Sequence, residues 1–252
     1  MGERSERLDR AVSHAYGLSR SVSQRVIKRG QVSVDGQVIP DPAFKVKGSS
    51  SLSLDGDEVG VTEAFTARVY MLNKPEGYVS ADKDRNLPTV KGFFSQEVKS
   101  DDLHCVGRLD ADTTGLLLVT DDGDLNHRLT SPKSGVIKVY EALTRDPIES
   151  SYVKAFASGL KHPDEHTRYR PAFLSVTGEK SALVYVTEGR FHEVKRLFEC
   201  VENEVTQLRR VAIGALRLDD NLDEGEYRLL YDDEIELLFK KPEGYTDPAQ
   251  NN

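Results

Sequence analysis

The sequence predicts an α+β protein with two parts: a small N-terminal helix–helix–hairpin domain and a larger domain built on a mixed, largely antiparallel sheet. The N-terminal part shows two short amphipathic helical stripes and then an alternation of apolar and polar residues around an Asp-Gly pair. Further along, strand-like segments occur in runs and do not alternate regularly with helices, which disfavours a doubly wound sheet. The 252 residues leave room for two domains of unequal size.

In the N-terminal domain, residues 7–15 have apolar side chains at helical spacing, and a second helix is predicted to run to about Lys28. Residues 31–39 alternate around Asp35-Gly36, a pair typical of a two-residue hairpin turn. No acidic residue lies within 19–34, so the outer face of the second helix is purely basic. The candidate RNA-binding residues on this face are Arg20, Arg25, Lys28 and Arg29.

We divide the chain into an N-terminal domain over residues 1–60, a linker at 61–67, a second domain over 68–240 and a flexible tail over 241–252. Residues 57–67 are polar and without periodicity, which places the connection there, and the tail is polar with prolines and a glycine. The predicted strands are 68–73, 103–107, 115–120, 136–144, 172–177, 181–187, 205–213 and 226–230. The predicted helices are 124–130, 148–159, 191–202 and 232–240.

The composition excludes several functional classes. The chain has no apolar run long enough to span a membrane, and its first residues lack an apolar signal core, so we expect a cytoplasmic protein. Two cysteines are too few for a disulfide scaffold or a cysteine zinc site. The net charge is −8, yet residues 1–50 hold nine Lys/Arg against five Asp/Glu, a local balance of 9 − 5 = +4. A basic face on an otherwise acidic protein fits a selective RNA binder.

Four segments of the second domain combine chemistry-bearing residues with turn signals. Gly107–Gly115 holds Arg108 and Asp110 in a glycine-bracketed loop directly before an apolar run. Residues 71–77 end a strand at Lys74-Pro75, and residues 137–140 alternate so that Lys138 and Tyr140 share one face. Residues 189–198 open a helix whose predicted apolar stripe is Phe191, Val194, Leu197 and Phe198.

These segments, in this order, carry a resemblance. Residues 6–56 resemble the S4 RNA-binding domain, and the four segments of the second domain resemble the pseudouridine synthases, specifically the small-ribosomal-subunit (RsuA-type) branch. The resemblance covers nearly the whole chain, from about Arg7 to Phe239. Glu193 departs from it, since the family commonly has glutamine there.

The resemblance implies a role for each site residue. Asp110 is the expected catalytic carboxylate, which attacks the sugar, attacks the base or stabilises a cationic sugar. Lys195 is expected to pair with Asp110, Tyr140 to stack on the target base, and Arg108 to support the RNA once the base is extruded. Lys74 is expected among the substrate-binding residues.

The resemblance further implies isomerisation of a 16S ribosomal RNA uridine, of the type that modifies position 516, by a monomer acting on a small-subunit assembly intermediate. The reaction needs no redox change or hydrolysis, so no cofactor and no metal are expected. A paralogue acting on 23S rRNA and a non-catalytic S4-type ribosome-assembly protein are the alternatives. An aspartic protease, suggested by Asp112-Thr113-Thr114-Gly115, would need a second such loop, and the sequence has none.

Overall fold

The computed structural model describes residues 5–16, 18, 20–47, 50–60, 68–97, 100–131 and 133–248. The chain divides into two compact units, Met1–Ala67 and Arg68–Asn252. The predicted linker at 61–67 and the last four residues of the predicted tail lie outside the described residues.

The first unit contains the predicted helix–helix–hairpin order. Leu8, Val12 and Ile27 are fully buried between the two helices and the strands, as the apolar stripes require. Asp35 and Gly36 both have positive φ, +51° and +79°, which is the geometry of the predicted hairpin turn. The elements of this unit are β1 (Ser5–Arg7), α1 (Leu8–Tyr16), α2 (Arg20–Lys28), β2 (Val32–Val34), β3 (Gln37–Val38), β4 (Lys45–Lys47), β5 (Ser51–Leu54) and β6 (Asp57–Gly60).

Strand β6 corrects the expectation that the polar stretch from residue 57 belongs to the connection. It pairs antiparallel with β5 and extends the sheet to the order β3-β2-β5-β6. The two strands meet at Asp55 and Gly56, which repeat the positive φ angles of the first hairpin turn. The backbone ladder to β5 therefore forms this strand despite its lack of apolar alternation.

The second unit is built on one mixed sheet with the order β11-β12-β10-β13-β9-β7-β15. Strands β9 and β13 run parallel at its centre, and the other ladders described for this sheet are antiparallel. Strand β14 pairs with β13, and β8 pairs with β9. The strands are β7 (Val69–Lys74), β8 (His104–Val106), β9 (Thr113–Thr120), β10 (Lys138–Thr144), β11 (Phe173–Gly178), β12 (Ser181–Val186), β13 (Val205–Ile213), β14 (Leu216–Arg217) and β15 (Tyr227–Leu229).

Both faces of this sheet are covered, which explains the continuous apolar run after the Asp110 loop. Along β9, Leu117 packs into one core cluster and Leu116 into the other. Helices α4 and α5 contribute to the first cluster, and α3 and the end of α6 contribute to the second. The helices are α3 (Gly123–Thr130), α4 (Ser150–Ala157), α5 (Glu193–Glu199) and α6 (Asp232–Leu237), and short 3-10 turns span Val90–Phe94 and Ser100–Asp102.

Two details of the second unit differ from expectation. Helix α5 begins at Glu193, because His192 adopts a left-handed backbone with φ +53°, and Phe191 is 65% exposed instead of joining the buried stripe. Part of the predicted flexible tail is packed, since the Tyr245 ring contacts the rings of Phe173 and Tyr185. Among the described residues, no helix combines the length and apolar character needed to cross a bilayer.

Candidate active site

A cavity of about 440 Å³ lies beside the centre of the second unit's sheet, where β9, β10 and β13 meet the start of α5. Asp110 lines it from the loop that joins β8 to β9, with its side chain 30% exposed. Arg108 and Tyr140 line the same cavity, so the structure brings three of the predicted site residues together.

The glycine that closes the Asp110 loop is required by the parallel pairing of β9 with β13. Gly115 has φ +96° and faces Arg210 in the register of the two strands. A Cβ at this position would overlap the carbonyl oxygen of Arg210. Glycine therefore lets the strand that follows the loop approach β13 closely, and this approach sets the position of the loop.

Lys74 holds the same loop from behind and does not face the cavity. Its side chain is fully buried, and its Nζ donates to the carbonyl oxygens of Pro75 (3.0 Å), Ala111 (3.3 Å) and Thr113 (2.8 Å). Burial lowers the pKa of Lys74 to about 8, although the charges of Asp112 and Asp110 act in the opposite direction. In this structure the enclosed ammonium therefore positions the loop and does not line the cavity, and the expected role of Lys74 in substrate binding stays a prediction.

Two cationic or potentially cationic side chains flank Asp110. Lys195 Nζ lies 3.6 Å from Asp110 Oδ2, and His192 Nε2 lies 3.5 Å from the same oxygen. Lys195 is closer to Asp112, whose Oδ1 and Oδ2 accept at 2.7 and 2.8 Å. Burial acts to raise the pKa of Asp112, but the hydrogen bonds and charge of Lys195 outweigh it and hold the pKa below its usual range. Lys195 therefore bridges two carboxylates, whereas the sequence predicted a pair with Asp110 alone.

His192 and Phe191 are site residues that the sequence analysis did not assign. The left-handed backbone of His192 turns its ring toward Asp110 at the residue before α5. The Phe191 ring stacks on it with a centroid distance of 3.7 Å. A positive φ at a non-glycine residue is uncommon and often marks a functional site, but it leaves no periodicity in the sequence.

The floor of the cavity is formed by β10 and β13. Lys138 and Tyr140 both line it, as predicted from their alternation on one strand. The Tyr140 hydroxyl lies 3.4 Å from Nη1 of Arg210, a cavity residue that is 3% exposed and was not predicted. Burial and then the charge of Arg210 lower the pKa of Lys138 to about 8, and burial raises the pKa of Glu193 to about 7. The Asp110 carboxylate therefore lines one side of the cavity, and the charged side chains of Lys138, Glu193 and Arg210 line its floor.

The predicted basic face of the first unit is exposed as far as it is described. Arg25 and Lys28 are exposed on α2, and Arg29 is exposed directly after it. Arg20 begins α2, but its side chain lies outside the described residues. Among the residues that the structure describes, no cluster of three or more His, Cys, Asp or Glu side chains is suited to a metal ion.

Comparison with known proteins assigns both units. The RNA pseudouridylate synthase family matches residues 68–200, and the S4 domain matches residues 6–51. "Ribosomal small subunit pseudouridine synthase A" of Salmonella typhimurium is 40% identical over 91% of this chain and 98% of the relative. The protein of that name from Pasteurella multocida is 41% identical over 93% of this chain and 100% of the relative.

A solved structure agrees with this assignment. A crystal structure of a pseudouridylate synthase aligns with a TM-score of 0.66 and 36% identity, and covers 92% of this chain and 99% of that chain. The two units, in the order S4 domain and mixed-sheet catalytic domain, have the fold that the sequence predicted. The chain therefore belongs to the RNA pseudouridine synthases, in the branch that carries an N-terminal S4 domain.

Proposed function

We propose that this protein converts a specific uridine of 16S ribosomal RNA into pseudouridine, with Asp110 as the catalytic carboxylate. The relatives that align over nine-tenths of the chain are named for the small ribosomal subunit. The observation that carries the assignment of the site is Asp110 in a cavity that also holds an aromatic ring, with Lys195 and His192 within 3.6 Å of its carboxylate.

The reaction breaks the bond between uracil N1 and ribose C1′, turns the base and joins its C5 to C1′. An ionised Asp110 serves this sequence by attacking the sugar or the base, or by stabilising a cationic sugar. The positive charge of Lys195 stabilises the carboxylate in its partly buried position. Because Lys195 is shared with Asp112, the second carboxylate limits how strongly Lys195 neutralises the first.

The target base must leave the RNA stack before Asp110 can reach its glycosidic bond. Extrusion costs a few kcal/mol, and stacking on an aromatic ring returns about 1–3 kcal/mol. Tyr140 supplies this ring inside the cavity, and exposed Arg108 lies where it can support the RNA that the base leaves behind.

The S4 domain contributes binding that does not depend on the cavity. Its exposed basic residues Arg25, Lys28 and Arg29 contact RNA phosphates in this proposal, and Arg20 completes the set. The target corresponds to uridine 516, the substrate is a small-subunit assembly intermediate, and the enzyme works as a cytoplasmic monomer.

The test is pseudouridine formation by the Asp110→Asn variant on 16S rRNA. We expect no detectable product, with RNA affinity within a few fold of the unchanged protein, because the amide keeps the shape but loses the charge. Asp112→Asn should lose far less activity, and the exposed Asp220→Asn serves as the matched control with full activity. Product formation by Asp110→Asn would remove it as the reaction centre.

The substrate is tested separately by mapping pseudouridines in both large rRNAs from cells that lack this protein. Loss of one 16S site that returns with the unchanged gene, and not with the Asp110→Asn gene, is the expected result. Loss of a 23S site instead would assign the protein to the large-subunit paralogues.

A further inference from the structure

Arg210 is the buried cation of the cavity to which none of the roles above applies. It lies on β13 with 3% of its surface exposed. Its Nε donates to the carbonyl oxygen of Leu116 at 2.7 Å, and its Nη1 lies 3.4 Å from the Tyr140 hydroxyl, a long contact. Its Nη2 has no hydrogen-bond partner among the residues that the structure describes.

An unpartnered buried donor of this kind is uncommon in proteins. Leaving a buried polar group unpaired is unfavourable, and more so when the group is charged. The hydrogen bond from Nε to Leu116 holds the guanidinium in the cavity wall, whereas Nη2 lacks a partner among the described residues. The missing partner is a hydrogen-bond acceptor, and a negatively charged acceptor satisfies both the donor and the charge.

The electrostatics of the cavity floor support an anionic or charge-developing ligand. Lys138 lines the same cavity, and the charge of Arg210 contributes to lowering its pKa. The charges of Glu193 and Glu188 act to raise the pKa of Lys138, so these two carboxylates offset the positive charge of Lys138. The Arg210 guanidinium contacts the Tyr140 hydroxyl, and Asp110 lines the same cavity from the loop before β9.

The reaction generates such an acceptor. When the bond between N1 and C1′ opens, the electron pair stays on uracil N1, and the resulting negative charge is shared by the carbonyl oxygens O2 and O4. The sugar carries the complementary positive charge, which the Asp110 carboxylate stabilises. The departing base therefore needs hydrogen-bond donors on the side away from Asp110.

We propose that Arg210 is a further catalytic residue that donates a hydrogen bond to a carbonyl oxygen of the extruded uracil. The donor is Nη2, the guanidinium nitrogen without a partner among the described residues, and its hydrogen bond to the base is charge-assisted. This bond strengthens as the glycosidic bond opens and negative charge develops on the base. The inference rests on the proposed function, in which the Asp110 cavity is the reaction site.

The test compares Arg210→Met and Arg210→Lys with Arg209→Met in single-turnover reactions at saturating 16S rRNA. Arg209 is the matched control, because it is the next residue of β13, contacts Glu224 and Asn73, and does not line the cavity. Loss of one such hydrogen-bond donor lowers the rate of the chemical step by about 10²–10³-fold. We expect this loss for Arg210→Met, a smaller loss for Arg210→Lys, less than about threefold for Arg209→Met, and RNA affinity within about threefold for all.

A second measurement identifies the contacted atom. The target uridine is replaced by 2-thiouridine or by 4-thiouridine, whose sulfur accepts hydrogen bonds poorly. One of the two thiouridines should lower the single-turnover rate of the unchanged enzyme, yet cause little further loss of rate in Arg210→Met. Should Arg210→Met fail to fold by circular dichroism, the same comparison is made in Arg210→Lys.

Three outcomes would overturn the inference. The first is a folded Arg210→Met with an unchanged single-turnover rate, and the second is a loss confined to RNA affinity. The third is that 2-thiouridine and 4-thiouridine each slow Arg210→Met by the same factor as they slow the unchanged enzyme. The two proposals fail separately, because activity in Asp110→Asn would refute the reaction site, whereas an inactive Asp110→Asn beside an active Arg210→Met would refute only the role of Arg210.

Discussion

Replacing Lys74 with methionine tests whether a buried lysine positions the Asp110 loop. Methionine keeps the apolar stem but leaves the carbonyl oxygens of Pro75, Ala111 and Thr113 without their donor. Each buried carbonyl left unpaired costs about 1–3 kcal/mol, so the gross loss is about 3–9 kcal/mol.

Removal of the buried charge offsets part of this loss. The pKa of Lys74 falls from 10.5 to about 8, and 2.5 pKa units at 1.36 kcal/mol each correspond to about 3 kcal/mol at neutral pH. The free energy of unfolding should therefore fall by about 3 kcal/mol at pH 7, the middle of the resulting range. We expect a urea midpoint lowered accordingly, with Lys161→Met, which changes an exposed lysine, within about 0.5 kcal/mol of the original.

The pH dependence gives this prediction a sign. Between pH 8 and 10.5 the unfolded chain keeps the Lys74 proton and the folded protein has lost it, so stability contributed by this group rises with pH. The difference in unfolding free energy between the original protein and Lys74→Met should grow by up to about 1.4 kcal/mol per pH unit between pH 8 and 10.5 and then level off.

The functional measurement separates positioning from substrate binding. A displaced loop moves Asp110, and a displacement of about 1 Å can lower the rate about 10²-fold. Lys74→Met should thus lose single-turnover rate and stability together, with RNA affinity retained. A stable variant that has lost only RNA affinity would refute the positioning role and restore Lys74 as a substrate contact.

Three further predictions concern the base, the loop and the S4 domain. Tyr140→Phe should keep stacking and bind RNA as before, whereas Tyr140→Ala should weaken binding of the extruded base by about 1–3 kcal/mol; equal activity of the two variants would count against stacking. Gly115→Ala should lower the unfolding midpoint and the activity together, because its Cβ meets the backbone of β13 at a positive φ, and unchanged values would contradict the close approach. The exposed basic residues of the S4 domain are Arg25, Lys28 and Arg29, and changing all three to glutamine should reduce the slope of log affinity against log salt by about two. An unchanged slope would show that another surface contacts the phosphates.

Local sequence patterns predicted both β9 and the loop that precedes it. The apolar run Leu116–Val119 indicated a buried strand, and the turn-rich segment before it indicated a functional loop. Both are local properties, since turn residues and apolar runs act over a few positions. The family resemblance added the expected role of Asp110, which stays a prediction until Asp110→Asn is measured.

The local patterns also predicted the hairpin at Asp35-Gly36 and the shared face of Lys138 and Tyr140. They failed at Phe191, whose helical spacing indicated a buried position. The left-handed backbone of His192 separates Phe191 from α5, so the helical spacing does not extend back to Phe191. Helical spacing carries no information about the residue at which the helix actually begins.

By itself, the sequence determined the order of the elements, the apolar faces that each must bury, and the loop in which a carboxylate stands before a buried strand. The tertiary structure alone decided which side chains meet there. It turned Lys74 inward, placed Lys195 between two carboxylates and brought Arg210 to the hydroxyl of Tyr140. The physical reason is the register of the ladders that join β13 to β9 and β10, and β7 to β9, because these ladders bring together segments far apart in the chain and leave no trace in the local spacing of any of them.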